Sequence, residues 1–238
     1  MVPRELIDSA QIPGGDVMTL YARGADFMIV VDRNELMSTR MNGSEEALGT
    51  LACARIAKVA APRVLIGGYG MGFTLRAVLG QVGPKAEVTV AELVPEILAW
   101  ARGPMAAVTD GCLDDPRTRV FEGDVAAAIA AGASEGAAGY DAILLDVDNG
   151  PDGLVRAENN RLYAPRGLKI TREALRPGGV LAVWSAGPDP RFVTRLKGAG
   201  FHVEEVVVKA RQNGKGPRHV IWFARKRPPR DRRDGDFD

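Results

Sequence analysis

The sequence is poor in the residues that form disulfides and bind metals. It has two cysteines in 238 residues, Cys53 and Cys112, and they form neither a CxxC pair nor a zinc-type pattern. Both are therefore expected to be reduced packing residues in a cytoplasmic protein. The two histidines, His202 and His219, lie far apart in the sequence, so no metal site is predicted.

Long apolar runs and a large excess of one charge are also missing. No stretch approaches the roughly 18 apolar residues that a membrane-spanning helix requires, and residues 1–5 lack the apolar run of a signal peptide. The net charge of +1 gives no overall attraction to nucleic acid or to anionic membranes. We therefore expect a cytoplasmic protein with no nucleic-acid and no membrane partner.

The chain does contain enough apolar residues for a large core. With 238 residues, of which 46% are hydrophobic, it suits one α/β domain with a small appendage. Three strand-like runs between residues 19 and 39 predict a small β-meander within an N-terminal segment, residues 1–43. Alternating strands and helices predict one domain over residues 44–225. The polar, proline-containing residues 226–238 are expected to be disordered.

A glycine-rich turn follows the first strand of that domain. Gly67, Gly68, Gly70 and Gly72 stand between an apolar strand and a helix-like run, without the spacing of a dinucleotide fingerprint or a phosphate loop. Glycines let the backbone approach a ligand, and the next helix presents free N–H groups and a partial positive charge. Glu92 ends the second strand, where it can accept hydrogen bonds from ribose hydroxyls. Together these features predict a nucleoside-binding crevice.

Further acidic residues fall at the ends of predicted strands. Asp124 follows a third strand and Asp146 a fourth, before a fifth strand within residues 175–184. Because ligands of open α/β sheets bind outside the carboxyl ends of the strands, these carboxylates are expected at one site. Residues 201–208 and 219–224 predict a closing antiparallel hairpin. This succession is similar to that of class I S-adenosylmethionine-dependent transferases.

Each carboxylate also has a structural interpretation. Glu92 could be a solvated helix cap, Asp124 could cap the helix that follows it, and Asp148 could be a turn residue. Asp146 follows three apolar residues, where a carboxylate is costly without a partner. A functional role is therefore favoured for Asp146.

Over about residues 19–225 the chain resembles the spermidine synthase family of aminopropyltransferases. The resemblance is carried by the meander that ends at residues 36–39, by the helix that begins with Ser44-Glu45-Glu46, by the glycine turn and by residues 145–151. It implies an α/β fold with a Rossmann-like methyltransferase sheet and an antiparallel C-terminal hairpin, preceded by the small β-meander. It also implies a homodimeric enzyme of polyamine biosynthesis.

The resemblance implies roles for individual residues. Glu92 would hold the ribose hydroxyls, Asp124 would contact the adenine amino group, and Asp146 would lie beside the sulfonium and the incoming amine. Asp146 and Asp148 are the candidate catalytic residues. The donor would be decarboxylated S-adenosylmethionine or S-adenosylmethionine, with no metal. The residues expected to bind a small-molecule amine are Glu45, Glu46, Asn149 and Tyr163.

The chain departs from the family at several of these positions. Asn149 stands where the family has the second aspartate of an Asp-x-x-Asp loop, and an amide cannot take a proton. Met37 replaces a glutamine, Ser44-Glu45 replaces Tyr-His, and Gly70 replaces an aspartate. Three functions therefore stay open, namely aminopropyl transfer to a polyamine or related amine, methyl transfer to a small molecule, and nucleoside binding without catalysis.

Overall fold

Eleven strands and eight helices are present in the part of the chain that the computed structural model describes, namely residues 3–134, 139–147, 150–151 and 157–227. In chain order the strands are β1 (Glu5–Gln11), β2 (Val17–Arg23), β3 (Asp26–Val31), β4 (Asn34–Ser38), β5 (Arg63–Gly67), β6 (Glu87–Glu92), β7 (Thr118–Glu122), β8 (Tyr140–Leu145), β9 (Leu175–Ser185), β10 (Phe201–Lys209) and β11 (Arg218–Lys226). The helices are α1 (Gly43–Arg55), α2 (Phe73–Leu79), α3 (Pro95–Arg102), α4 (Ala106–Thr109), α5 (Val125–Ser134), α6 (Asn160–Tyr163), α7 (Pro165–Ala174) and α8 (Pro190–Gly198). The strands form a four-stranded and a seven-stranded sheet.

The first four strands form an antiparallel meander in the order β1-β2-β3-β4. The sequence predicted this meander, but only its last three strands. Strand β1 was missed because Ala10 alone among its seven side chains is buried, so it lacks the apolar alternation of a half-buried strand. Leu20 and Ile29 are fully buried and belong to the same apolar core as one face of the large sheet.

The large sheet has the strand order β10-β11-β9-β8-β5-β6-β7. Strands β5 to β9 pair in parallel, and β11 runs antiparallel to both β9 and β10. The chain places β6 and β7 on one side of β5 and then β8 and β9 on the other, so the strand order reverses between β5 and β8. Such a reversal opens a crevice at the carboxyl ends of the strands. The predicted Rossmann-like sheet with an antiparallel C-terminal hairpin is confirmed.

Side chains of the central strands alternate between two apolar cores. Val64 and Ile66 of β5 belong to the core shared with α1, α2 and α3, whereas Leu65 belongs to the core shared with α5, α7 and α8. All three side chains have no exposed surface. Burial on both faces explains why the parallel strands are continuous apolar runs in the sequence.

Helix α1 is positioned by close packing against α2. A Cβ on Gly49 would lie 2.8 Å from the Ala77 Cβ and 2.9 Å from the Thr74 carbonyl oxygen, so glycine lets the two helices touch. The Gly43 N–H also donates to the Ala210 carbonyl at 2.9 Å, which ties the start of α1 to the C-terminal hairpin. The sequence predicted this helix to about residue 60. It ends at Arg55, because the next residues turn through i→i−3 bonds.

The structure also shows where the scarce residue types lie. Cys53 and Cys112 are both buried free thiols. None of the helices in the described ranges has the length and apolar character that crossing a bilayer requires. Across the same residues, no three side chains of His, Cys, Asp or Glu are grouped closely enough to hold a metal ion.

Candidate active site

A cavity of about 110 Å³ lies at the carboxyl ends of β5, β6, β7 and β8. One wall is apolar and includes Ile12, Met18 and Leu36 from the N-terminal sheet and its loops. The opposite wall holds five of the residues that the sequence singled out, which are Gly68, Gly70, Glu92, Asp124 and Asp146. Folding therefore brings the glycine turn and three strand-end carboxylates to one concave site.

The glycine turn is fitted against the end of β8. Gly68 has a φ of +83°, and a Cβ there would lie 2.5 Å from the carbonyl oxygen of Asp146. Only glycine satisfies both the backbone angle and this close approach. The Asp146 N–H donates to the Gly67 carbonyl at 3.0 Å, and Gly72 precedes α2 as its N-cap. The turn thus sets the position of Asp146 through the backbone.

Glu92 joins the glycine turn to the end of β6. Its carboxylate is 5% exposed and accepts hydrogen bonds from the Tyr69 N–H and the Val94 N–H, both at 2.9 Å. Burial raises the pKa of Glu92, and these backbone donors offset part of that rise. The backbone N–H groups of Gly70 and Leu93 also stabilise its charged form, so ribose hydroxyls would share the carboxylate oxygens with backbone donors.

Asp124 uses its two oxygens differently. Oδ1 accepts the Ala126 N–H at 2.8 Å in the first turn of α5, which is the capping role considered from the sequence. Oδ2 forms an ion pair with Arg161, a residue 37 positions away that the sequence did not identify. Because Asp124 also lines the cavity, an adenine amino group in contact with it would share Oδ2 with Arg161 or displace that side chain.

A smaller, narrow space adjoins the main cavity and shares Met37, Gly70 and Asp146 with it. Its lining includes a second carboxylate, Glu45 of α1. The Thr74 hydroxyl donates to Asp146 Oδ2 at 3.0 Å and lies 3.2 Å from the Glu45 carbonyl oxygen. The close contact of α1 with α2 therefore brings Glu45 and Asp146 to the same pocket.

The two carboxylates of this pocket affect each other. Burial raises the pKa of Asp146 above its ordinary value. Burial and, after it, the negative charge of Asp146 together raise the pKa of Glu45 to about 8. At neutral pH the free protein is therefore expected to keep one proton on this pair, with Glu45 as its main holder.

Solved structures share this architecture. A crystal structure of a spermidine synthase in complex with the transition-state analogue AdoDATO matches with a TM-score of 0.73 at 18% sequence identity. The match covers 93% of this chain and 74% of that one. The chain has the spermidine synthase fold.

Sequence comparison finds relatives of two kinds. A polyamine aminopropyltransferase from Mycobacterium tuberculosis is 34% identical over 146 residues, which are 59% of this chain and 27% of that protein. A ribosomal RNA small subunit methyltransferase H from Halorhodospira halophila is 30% identical over 168 residues, 66% of this chain and 48% of that protein. The chain thus spans about a quarter of the first relative and half of the second. No family profile matches it.

Within the spermidine synthase fold, the remaining predicted residues lie elsewhere. The Glu46 carboxylate accepts the Gln212 side-chain N–H at 2.6 Å and lines an outer groove along α1 and α2. Tyr163 is 1% exposed and packs edge-on against Phe192, with ring centroids 5.7 Å apart. Neither is among the described residues that line the two spaces at Asp146. Asp148 and Asn149 lie outside the described residues, so their roles stay predictions.

The raised pKa of Glu45 predicts a pH-dependent stability. The ordinary pKa of a glutamate is 4.5, and that of Glu45 in the folded protein is about 8. Between these two pH values Glu45 is protonated in the folded protein and ionised in the unfolded chain. The free energy of unfolding should therefore fall as pH rises through this interval. Above it, Glu45→Gln removes a buried charge and should raise the free energy of unfolding by about 1 kcal/mol, or about 2–4 °C in Tm.

Thermal unfolding at pH 5 and pH 9 measures this effect. The variant and the native protein should differ little at pH 5 and clearly at pH 9. Glu5→Gln, a change on the exposed part of β1, is the control and should leave Tm unchanged at both pH values. Equal Tm values for Glu45→Gln and the native protein at pH 9 would contradict the raised pKa.

Proposed function

We propose that this chain is a transferase that moves an aminopropyl group from decarboxylated S-adenosylmethionine to a polyamine or a related amine. The observation that carries the proposal is the cavity in which Glu92, Asp124 and Asp146 line the carboxyl ends of neighbouring strands beside the glycine turn. Nucleoside-sized ligands of open α/β sheets bind in this position. The likeness to a polyamine aminopropyltransferase and to the spermidine synthase fold supports the same reaction class.

Each part of the donor would meet a suitable group. Glu92 would accept hydrogen bonds from the two ribose hydroxyls, and Asp124 Oδ2 would accept one from the adenine amino group. Apolar side chains in the lining, including Leu93, Ile97 and Val125, suit the flat faces of the adenine ring. The sulfonium would then lie near Asp146, whose buried negative charge attracts it strongly.

The transfer itself is a displacement at carbon. The amine nitrogen attacks the aminopropyl carbon attached to sulfur, an N–C bond forms, and the C–S bond breaks with its electron pair passing to sulfur. The products are the extended polyamine, methylthioadenosine and one proton. Asp146 would orient the sulfonium and the amine for in-line attack, which lowers the entropic part of the activation barrier. The amine must first lose a proton, so a base is required.

The charge of the smaller space favours the decarboxylated donor. Intact S-adenosylmethionine carries an α-carboxylate, which needs a cation or free N–H groups as partners. Asp146 instead supplies negative charge beside the expected sulfonium position, and Glu45 adds a second negative charge when a bound cation ionises it. Like charges in a buried pocket disfavour binding, whereas the terminal ammonium of the decarboxylated donor would be attracted.

Titration calorimetry of the purified protein tests this function. We expect decarboxylated S-adenosylmethionine to bind at least about tenfold more tightly than S-adenosylmethionine, a difference of about 1.4 kcal/mol. Methylthioadenosine should also bind, and Glu92→Gln should weaken all three ligands. Tighter binding of S-adenosylmethionine would instead favour methyl transfer, the activity named in the Halorhodospira halophila relative. Binding of none of the three would refute the nucleoside site.

Binding of the donor without turnover of any amine would leave the third function, a non-catalytic nucleoside-binding protein.

We also retain the homodimer as a proposal. The N-terminal sheet supports it, because Leu6 on β1 and Val17 on β2 are 57% and 50% exposed. Exposed apolar side chains favour association when a partner surface removes them from water. Light scattering after size-exclusion chromatography measures the mass directly.

A further inference from the structure

A chain of hydrogen bonds leads away from the Glu45–Asp146 pocket. The Ser44 hydroxyl donates to Glu45 Oε2 at 2.7 Å, and the Ser44 Oγ lies 2.9 Å from Nδ1 of His219 on β11. Ser44 has no exposed surface, and the half-buried His219 ring packs edge-on against Trp184 with ring centroids 4.7 Å apart. Glu45 is therefore connected through one buried hydroxyl to an imidazole at the edge of the core.

The arrangement of donors along this chain depends on the protonation of Glu45. A serine hydroxyl has one hydrogen to donate, and a neutral imidazole has one N–H. When Glu45 is ionised, Ser44 donates to it and His219 donates from Nδ1. When Glu45 is protonated and donates to Ser44, the hydroxyl donates to Nδ1, and the imidazole hydrogen is on Nε2. The tautomer of His219 thus reports the protonation state of Glu45.

The charges around the Glu45–Ser44–His219 hydrogen bonds determine which group holds the proton. Asp146 at the end of β8 and Glu46 on the helix of Glu45 itself both raise the pKa of Glu45, after burial, while the Ser44 bond lowers it. The group that α2 contributes here is the neutral Thr74 hydroxyl. Burial lowers the pKa of His219, which favours the neutral imidazole. A cation bound beside Asp146 would offset its charge and ionise Glu45.

We propose that Glu45 takes the proton of the acceptor amine and that Ser44 and His219 relay a proton from it towards solvent. This inference rests on the proposed function. Glu45 would be the base that the reaction requires, because the amide of Asn149 cannot take a proton. While the sulfonium is present, Glu45 is ionised and can accept a proton. After the C–S bond breaks, sulfur is neutral, so the affinity of Glu45 for the proton rises again.

The proton transfer balances without any further reactant. The ammonium form of the acceptor gives one proton to the Glu45 carboxylate, and its freed electron pair forms the N–C bond. With Glu45 protonated, His219 first changes from the Nδ1–H to the Nε2–H tautomer by exchanging hydrogens with water, which moves no net proton. The protonated Glu45 then gives its hydrogen to Ser44 Oγ, the original Ser44 hydrogen passes to Nδ1 of His219, and the Nε2 hydrogen leaves to water. One proton has moved from the amine to solvent, and the reaction needs no oxidant or reductant.

Nitrogen-15 NMR of the histidine side chains tests the relay in the free protein. The chain has only two histidines, and His202 is exposed on β10, so it serves as the internal reference. We expect His219 to change from the Nε2–H to the Nδ1–H tautomer as pH rises past about 8, and to make the same change near pH 7 when decarboxylated S-adenosylmethionine binds. Glu45→Gln should abolish the change. A single His219 tautomer from pH 5 to pH 9 would overturn the relay, whatever ligands bind.

Kinetics at saturating donor test the role of Glu45 in catalysis. Glu45→Gln should lower kcat by about 100-fold or more and remove the pH-dependent limb of kcat, with donor Kd changed less than about tenfold. His219→Asn, which keeps a polar group but cannot shift a proton between two nitrogens, should lower kcat about tenfold. His202→Asn is the matched control and should have no effect. Retained kcat in Glu45→Gln with loss in Asp148→Asn would assign the base to Asp148 and overturn the proposal.

Discussion

Replacing Asp146 by asparagine is expected to lower kcat/KM by about 100- to 1000-fold. The amide has nearly the same shape as the carboxylate and can still accept the Thr74 hydroxyl bond, so the pocket should keep its form. What the variant lacks is the negative charge beside the sulfonium. Because Asp146 is buried, that charge acts through a low local dielectric and is worth more than it would be in water.

Steady-state kinetics with the decarboxylated donor, together with Tm, separate this effect from damage to the fold. Asp146→Asn should keep or raise Tm, because a buried carboxylate without a cationic partner is unfavourable. Glu122→Gln is the control, since it changes an exposed carboxylate at the end of β7 and should leave kcat/KM unchanged. If Asp146→Asn retained full kcat/KM, Asp146 would be structural and the proposed chemistry would be wrong.

Gly68→Ala is expected to destabilise the protein by about 3 kcal/mol or more, which corresponds to a loss of about 6–12 °C in Tm. Two causes add together. The φ of +83° is unfavourable for any residue with a Cβ, and that Cβ would lie 2.5 Å from the Asp146 carbonyl oxygen. Backbone cannot move aside as a flexible side chain can, so the glycine turn or the end of β8 must shift. Donor binding should weaken for the same reason.

Two other glycines separate these causes. Gly24 has a φ of +65° with nothing within 4 Å of its Cβ position, so Gly24→Ala should show the backbone strain alone, about 1–2 kcal/mol. Gly83 has open space and no such φ, so Gly83→Ala should be neutral or slightly stabilising. Differential scanning of the three variants gives the ranking directly. A Gly68→Ala variant no less stable than Gly24→Ala would show that the close approach is absent.

Strands that are buried on both faces were predicted well from the sequence. β5, β6 and β8 are short apolar runs whose carboxyl ends carry glycine or a carboxylate, and both features are visible without any tertiary information. Elements whose residues are mostly exposed were predicted less well. Strand β1 was missed because a single buried side chain leaves no periodic pattern.

The residues of the candidate site were also predictable from the sequence only in part. Gly68, Glu92 and Asp146 could be expected together, because the carboxyl ends of parallel strands meet at one edge of a sheet. Arg161 could not be connected with Asp124, since no local pattern relates residues 37 positions apart. The apolar wall from the N-terminal sheet was likewise invisible as part of a site, because alternating apolar residues predict only a buried face.

The sequence by itself determined the order along the chain of the seven strands of the large sheet, the position of the glycine turn and the carboxylates at the strand ends. These depend on local rules, such as side-chain period, glycine φ angles and the alternation of β and α elements. Only the tertiary structure decided which carboxylate faces Asp146. Glu45 reaches it because Gly49 lets α1 contact α2, and Ser44 joins it to His219, which is 175 positions from Ser44 in the chain. Contacts between distant segments depend on how whole faces pack, and no local pattern encodes that information.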